Sequence, residues 1–430
     1  TANNGKVTLA RTKDTGDATF RFKREYPGGK AFSHVVGYFA PESATGIEAA
    51  AGRYLDGTHP DLVVRRAIDL VSGKPAKGAN VDLTLDVQAQ RVAYRLLNGT
   101  GKRGAVVALD PKTGAVLAMV SSPSYDANPL AQPNKAKVNA AWQKLNKDDN
   151  KPLINRAIEQ TYPPGSTFKV VTSAMFLSED TSRDENTVVD APDALPLPGV
   201  VQPLRNYRGE SCGGQATMLR ALAISCNTPF AKIGMDLGYD RLKEQAERFG
   251  VGKPLEIPLY VQPSDIGPQE DKAALAQTSI GQRSNRMTPL QMAMVAAGIA
   301  NNGTVMKPYL INKIVAPDGT ELEVTEPEEL TEAVSPEVAA ELTRMMVGVV
   351  QQGTGRAAQV PGITVAGKTG TAETGPGQPS HAWFICFAPA EDPKVAVAVI
   401  VESGSAGSDA TGGAVAAPIA REVIQAVLGR

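Results

Sequence analysis

Cysteine and histidine are scarce in this chain of 430 residues, with three of each. Cys212, Cys226 and Cys386 are too few for a disulfide-built scaffold and lack the spacing of zinc ligands. His34, His59 and His381 lie far apart in sequence, which argues against a histidine-rich metal site, and no metal or cofactor is expected. Charge of one sign is missing as well: 44 basic residues face 45 acidic ones, a formal net charge of -1. That balance gives no electrostatic basis for nucleic acid or an anionic membrane as the main partner. No apolar run reaches membrane-spanning length; VAVAVIV, residues 395 to 401, has the length of a strand. The chain opens at Thr1 without a methionine or a signal-like segment and reads as a trimmed or mature product.

What is present is an ordinary globular composition, 42% hydrophobic and 21% charged, in a chain longer than one hydrophobic core usually serves. Two units are expected, residues 1–80 and residues 81–430. The first is rich in glycine and charge, with short alternating runs such as TFRFK and the stretch YPGGKAFSHVVGYF, and SGKPAKGAN over 72–80 reads as a linker. From Val81 the signals sharpen. VDLTL alternates as a strand, and Asp86 can cap a helix with Ala89, Val92, Ala93, Leu96 and Leu97 on its apolar face. GAVVALDPKTGAVLAMV predicts two buried strands around a Pro and Gly turn. Thr217, then Thr228 with Pro229, then Thr288 with Pro289 mark three helix starts, the last helix stopping at Asn301, Asn302 and Gly303. GITVAGKTGTA, AWFICFA and KVAVAVIV predict three strands near the end, followed by a helix from about Ala414 to Leu428. Strands at both ends of a helical middle predict an α+β fold, one sheet packed on helices.

The chemistry begins at YPPGSTFK, residues 162 to 169, where Ser166 and Lys169 stand three apart at the start of the buried-looking run STFKVVTSAMFL. A serine hydroxyl is a poor nucleophile without a base, and a lysine one helical turn away can be that base if burial and a neighbouring cation keep it neutral. Unpaired N–H groups at the helix start can hold an oxyanion. Alone the pattern is weak, since a chain of this length holds on the order of one S-x-x-K by accident and most such pairs are solvated helix starts. Two further elements join it. Ser225-Cys226-Asn227 lies between two capped helices, and Lys368-Thr369-Gly370-Thr371 lies in a predicted strand whose glycine admits a ligand backbone. A second K-T-G, Lys112 to Gly114, sits in the hairpin turn and reads as a turn only.

The ordered set S-x-x-K, S-x-N, K-T-G resembles the transpeptidase domain of class B penicillin-binding proteins. NVDLTLDVQAQ, GAVVALDPKTGAVLAMVSSPSYDAN, NRAIEQTYPPGSTFKVVTSA, TSIGQ with MTPLQMA, and AGKTGTAE carry the resemblance across most of residues 80 to 430. REYPGGKAFSHVVGY resembles part of that family's N-terminal non-catalytic module, a pedestal or dimerisation-like unit. The resemblance implies an antiparallel sheet packed on helices and a peptidoglycan D,D-transpeptidase that cross-links stem peptides. Ser166 would be the acylated nucleophile, Lys169 its base and Ser225 a proton relay to the leaving amine. Asn227 would hold the substrate's amide backbone, Lys368 would keep the site electropositive, Thr369 and Thr371 would bind the terminal carboxylate, and Gly370 would let the substrate backbone approach the strand. The oxyanion hole would be the N–H groups of Ser166 and Thr371.

The implied partners are a D-Ala-D-Ala donor, an amine acceptor and β-lactam antibiotics, with a membrane glycosyltransferase or division or elongation proteins beside them. The implied location is the outer face of the cell membrane, with an anchoring helix ahead of Thr1. A D,D-carboxypeptidase or β-lactamase on the same site, or a non-catalytic β-lactam receptor, are the alternatives; the E-x-x-L-N pattern that carries a deacylating glutamate in class A β-lactamases is absent from the sequence. Cys226, inside S-x-N, lies fourteen residues after Cys212. An extracytoplasmic location permits a bridge between them, and two free, partly buried thiols are the other possibility. Cys386 reads as a small core residue.

Overall fold

The structure is a computed structural model of the chain and describes residues 1–430 apart from 17–20, 41, 64–70, 72–76, 256, 376–377 and 404–410. Its centre is a five-stranded antiparallel sheet in the order Ala366–Ala372, His381–Ala388, Val395–Val401, Gly104–Leu109, Val116–Ser122. The two ends of the sequence therefore meet side by side, with Val401 opposite Gly104, as the strand pattern predicts. Both faces are covered, which is why VAVAVIV is apolar without alternation. Val106, Ala108, Val397 and Val399 face one layer, while Val107, Leu109, Ala398 and Ile400 face the other. The first layer is made by the helices Val87–Gly99 and Gly412–Val427. The second contains Pro289–Ala300, a helix buried at every position and accordingly apolar all round. Each full burial of a large apolar side chain stabilises by about 1.5–3 kcal/mol.

Start signals behave as local chemistry dictates. Asp86, Thr217, Thr288 and Thr411 each accept an N–H from three residues on. Ser335 caps a further long helix, Pro336–Gln351, in the same way. Thr228 departs from the pattern: the helix Thr228–Leu237 starts one residue earlier than read, with Asn227 at its N-cap, and Thr228 Oγ1 donates to the Pro192 carbonyl at 2.7 Å. Asn227 makes no side-chain cap bond, because its amide is engaged in the cleft described below.

The N-terminal residues pack onto this frame. Strands Arg11–Asp14 and Phe22–Glu25 pair, while the TFRFK run falls partly outside the described residues. Tyr26, Phe32, Val35 and Tyr38 share a buried cluster with Tyr125 and Leu130, and Gln90 Nε2 donates to both Ala31 and Met119 carbonyls at 2.6 and 2.8 Å. The linker read over 72–80 lies for the most part outside the described residues, and its end, Asn80, already belongs to the strand Asn80–Leu83. That strand joins Ile311–Val315 in a separate three-stranded sheet. Cys386 is a free, buried core thiol.

Candidate active site

Pro163 and Pro164 lead into a left-handed glycine, Gly165 at φ +54°, and then a short 3-10 turn, Gly165–Phe168. The α-helix begins only at Lys169 and runs to Ser178. Ser166 thus sits on a 3-10 turn where the sequence implies an α-helix, and residues three apart eclipse on such a turn, so the lysine still stands over the serine. The turn is fixed from several sides. Gly165 N–H donates to the Gly281 carbonyl at 2.9 Å, Tyr162 and Met287 exchange backbone hydrogen bonds of 2.9 and 2.8 Å, and Trp383 Nε1 donates to the Pro163 carbonyl at 3.0 Å. Gly281 has φ +78°, and a Cβ there would stand 2.0 Å from the Gly165 carbonyl oxygen. Ser166 is half-exposed in the cleft; Lys169 is wholly buried.

Ser225 is delivered by the end of a helix. After Met218–Ala223, Ser225 N–H donates to Leu222 and Cys226 N–H to Ala221, the paired closure of a Schellman motif. The left-handed position of that motif favours glycine, yet Ser225 occupies it at φ +61°, a strain of roughly 1–2 kcal/mol. Its hydroxyl is held among two lysine amines. Lys368 Nζ donates to Ser225 Oγ at 2.8 Å, and Lys169 Nζ lies 3.4 Å from the same oxygen. Lys169 Nζ also donates to the Ser225 carbonyl at 2.8 Å and to Asn227 Oδ1 at 2.7 Å. Asn227 Nδ2 in turn donates to the Arg205 carbonyl at 3.0 Å. Burial, and then the Lys368 charge, hold the Lys169 amine well below the usual lysine range. Burial pulls Lys368 down to about 7, so its charge is only partial near neutrality.

Lys368 to Thr371 lie on the edge strand of the central sheet, against the Gly165–Phe168 turn. A Cβ on Gly370 would come within 3.0 Å of the Pro164 carbonyl, so glycine lets strand and turn touch. Thr371 is half-exposed, and Thr369 Oγ1 is paired with Thr354 Oγ1 at 2.5 Å. All three sequence elements therefore border one cleft of about 1220 Å³, with Ser166, Ser225, Asn227, Thr369 and Thr371 on its walls and the two lysine amines reaching Ser225 from beneath.

Residues 104–425 match the family model of the penicillin-binding protein transpeptidase domain, and residues 2–81 match the penicillin-binding protein A dimerisation domain. The chain belongs to the penicillin-binding protein transpeptidases. It is 47% identical to the peptidoglycan D,D-transpeptidase PbpA of Mycolicibacterium smegmatis, across 99% of this chain and 88% of that protein. Penicillin-binding protein A of Mycobacterium tuberculosis, solved as a ceftriaxone acyl-enzyme complex, superposes with a TM-score of 0.95 at 44% identity, covering 100% of this chain and 97% of that one. The penicillin G acyl-enzyme of the same protein gives a TM-score of 0.94, covering 100% and 98%.

In this penicillin-binding protein the Cys212–Cys226 pair forms a disulfide with a Cα–Cα distance of 6.3 Å, tying the S-x-N loop to the segment before it. Closing a loop of this size stabilises by about 3 kcal/mol. Asn206, on the tied segment, accepts the Asn227 and Thr228 N–H groups at 2.8 and 3.2 Å. Asn206, Thr354, Gly281, Met287 and Trp383 are supports that the sequence reading does not single out. TSIGQ and MTPLQMA flag two of them only as family-like stretches. At the residues leading into the Ser166 turn, buried Glu402 accepts from Tyr162 Oη at 2.7 Å and pairs with Arg156 and Arg103. Among the described residues no cluster of His, Cys, Asp and Glu could hold a metal ion.

Proposed function

We infer that this chain is a peptidoglycan D,D-transpeptidase working through a Ser166 acyl-enzyme. The observation that carries the reading is the convergence of two buried lysine amines on the Ser225 hydroxyl, at the foot of the cleft that Ser166 lines. Lys169 spends two N–H groups on atoms that can only accept, the Ser225 carbonyl and Asn227 Oδ1. In its neutral form one lone pair is left to take a proton.

Ser166 Oγ attacks the carbonyl carbon between the two D-alanines and gives its proton to Lys169. Negative charge gathers on the carbonyl oxygen at the N–H groups of Ser166 and Thr371. The C–N bond then breaks as Ser225 passes its proton to the departing D-alanine nitrogen and is reprotonated from the lysines. An amine of a second stem peptide attacks the ester, loses its proton to the same base and leaves as a cross-link amide, with Ser166 restored. Lys368 supplies partial positive charge, and Thr369 and Thr371 take the terminal carboxylate. Asn227 has one free Nδ2 hydrogen for the substrate's backbone, its other groups being committed to Lys169 and Arg205. β-Lactams enter by the same attack.

The location we propose is the outer face of the cell membrane, where the substrate lies, with the N-terminal module meeting a membrane glycosyltransferase or other wall-building proteins. No described helix is long and apolar enough to cross a membrane, so the proposed anchor would lie outside these residues. The decisive experiment supplies a D-Ala-D-Ala pentapeptide with and without an amine acceptor. A transpeptidase releases D-alanine and joins the acceptor to the acyl peptide; release to water alone, undiminished by acceptor, would assign a carboxypeptidase.

A further inference from the structure

The loop Gln282 to Arg286 is stapled to the nucleophile turn at both ends, through Gly165 to Gly281 on one side and Tyr162 to Met287 on the other. Asp265 fixes it a third time, exchanging backbone hydrogen bonds with Arg286 at 2.8 and 2.7 Å. Arg283 and Arg286 both line the cleft, but their guanidinium groups are in different states. Arg283 is neutralised by Glu270 at 2.8 Å. Arg286 Nη1 is held by the carbonyls of Arg283 and Asn285, each at 2.9 Å, and no carboxylate among the described residues pairs with it. The cleft's own acids, Glu210 and Glu373, lie on other segments. Carbonyls position a guanidinium without cancelling its charge. The Nε and Nη2 edge, the fork that takes a carboxylate side-on, has no acceptor among the described residues.

The position is informative too. Gly165 lies between the two walls: a Cβ on it would meet the Thr371 carbonyl at 3.1 Å, while its own carbonyl packs on Gly281. The Thr369 and Thr371 strand and the Arg286 loop thus both border the Ser166 turn and both line the cleft, so a peptide with its terminal carboxylate at the strand and its scissile bond at Ser166 would have the Arg286 loop beside it in the same cleft. Ser166 lies four positions after Tyr162, no more than about 14 Å of chain, the reach of a similarly short piece of substrate.

Resting on the transpeptidase reading, we propose that Arg286 is a specificity-determining residue that binds an internal carboxylate of the acyl-donor stem peptide, on the N-terminal side of the scissile bond. The substrate class is then a peptide with at least two free carboxylates, one terminal and one internal. Amidation of the internal one weakens its use.

The test uses pairs of peptides ending in D-Ala-D-Ala that differ only in whether one internal carboxylate, within four residues of the scissile bond, is free or amidated. D-Alanine release is measured per active site, with sites counted by penicillin labelling. The wild-type chain should prefer the free peptide by roughly tenfold in kcat/KM, mainly through KM. Arg286→Gln and Arg286→Ala should bring the preference close to one, and Arg286→Lys should retain part of it. Equal use of both peptides by the wild-type chain, or a preference that survives in Arg286→Gln, would overturn the assignment. Absence of D-alanine release from both peptides would instead sink the transpeptidase reading and this inference with it.

Discussion

The chain contains the tripeptide Lys-Thr-Gly twice, and the two copies live in opposite surroundings. Lys112 stands on a hairpin turn, half-exposed, with Asp392 2.6 Å away; that hydrogen bond and charge raise its pKa. Lys368 is wholly buried, is pulled down to about 7 by burial and donates to Ser225. Gly114 serves the turn through its positive φ of +82°, whereas Gly370 serves a contact between a strand and the Pro164 carbonyl. Identical residues in identical order make a solvated ion pair in one place and part of a proton network in the other. The surroundings, not the tripeptide, make the chemistry.

The largest expected break in this contrast comes from the buried amines. Lys169→Arg keeps a positive charge but cannot give up its proton, and should slow penicillin acylation by roughly 10³-fold. Lys368→Ala should cost on the order of 10²-fold, while Lys112→Ala should leave acylation rates alone. Stopped-flow or gel-based labelling measures all three. Near-normal acylation by Lys169→Arg would refute the proposed role of Lys169 as base.

The glycines sharpen the contrast at the next level. Gly114→Ala places a Cβ 2.3 Å from the Lys307 carbonyl at a positive φ, and should destabilise the fold by about 1–3 kcal/mol without slowing acylation of the folded fraction. Gly370→Ala should do the reverse, slowing acylation by roughly tenfold through a shifted nucleophile turn at a smaller cost in stability. Denaturant titration beside labelling kinetics separates the two.

Acidity gives a smaller effect with a definite sign. In the proposed mechanism Lys169 acts neutral; its pKa is lowered by burial and then by Lys368, so acylation should fall as pH drops through that lowered pKa. Removing the Lys368 charge raises the Lys169 pKa, so the acid limb of Lys368→Ala should move to higher pH. An unmoved limb would show that the two amines do not communicate. Lys112→Ala should leave the limb in place.

Sequence carried the sheet well, because runs such as VAVAVIV and AWFICFA are apolar for one reason, burial on both faces. It carried less of the middle, where two-residue strands such as Ala194–Leu195 and Leu204–Arg205 are too short to show a period. The proposed reacting residues were legible as an ordered set, since Ser166, Lys169, Ser225 and Lys368 each have a type and spacing that suits nucleophilic chemistry, and the structure gathers them at one cleft. Their supports were not. Asn206 holds the Asn227 N–H from 21 residues away, and Gly281 supports Gly165 only through folding, so neither contact leaves a local pattern. The helix start read at Thr228 lies one residue earlier, at Asn227, whose amide serves Lys169 in place of capping its own helix.

Mass spectrometry of the chain after exposure to penicillin G tests the central claim most directly. One adduct per chain should form on the peptide containing Ser166, persist far longer than it takes to form and vanish in Ser166→Ala. An adduct on any other residue would contradict the site, and rapid multiple turnover of penicillin would contradict the transpeptidase in favour of a β-lactamase.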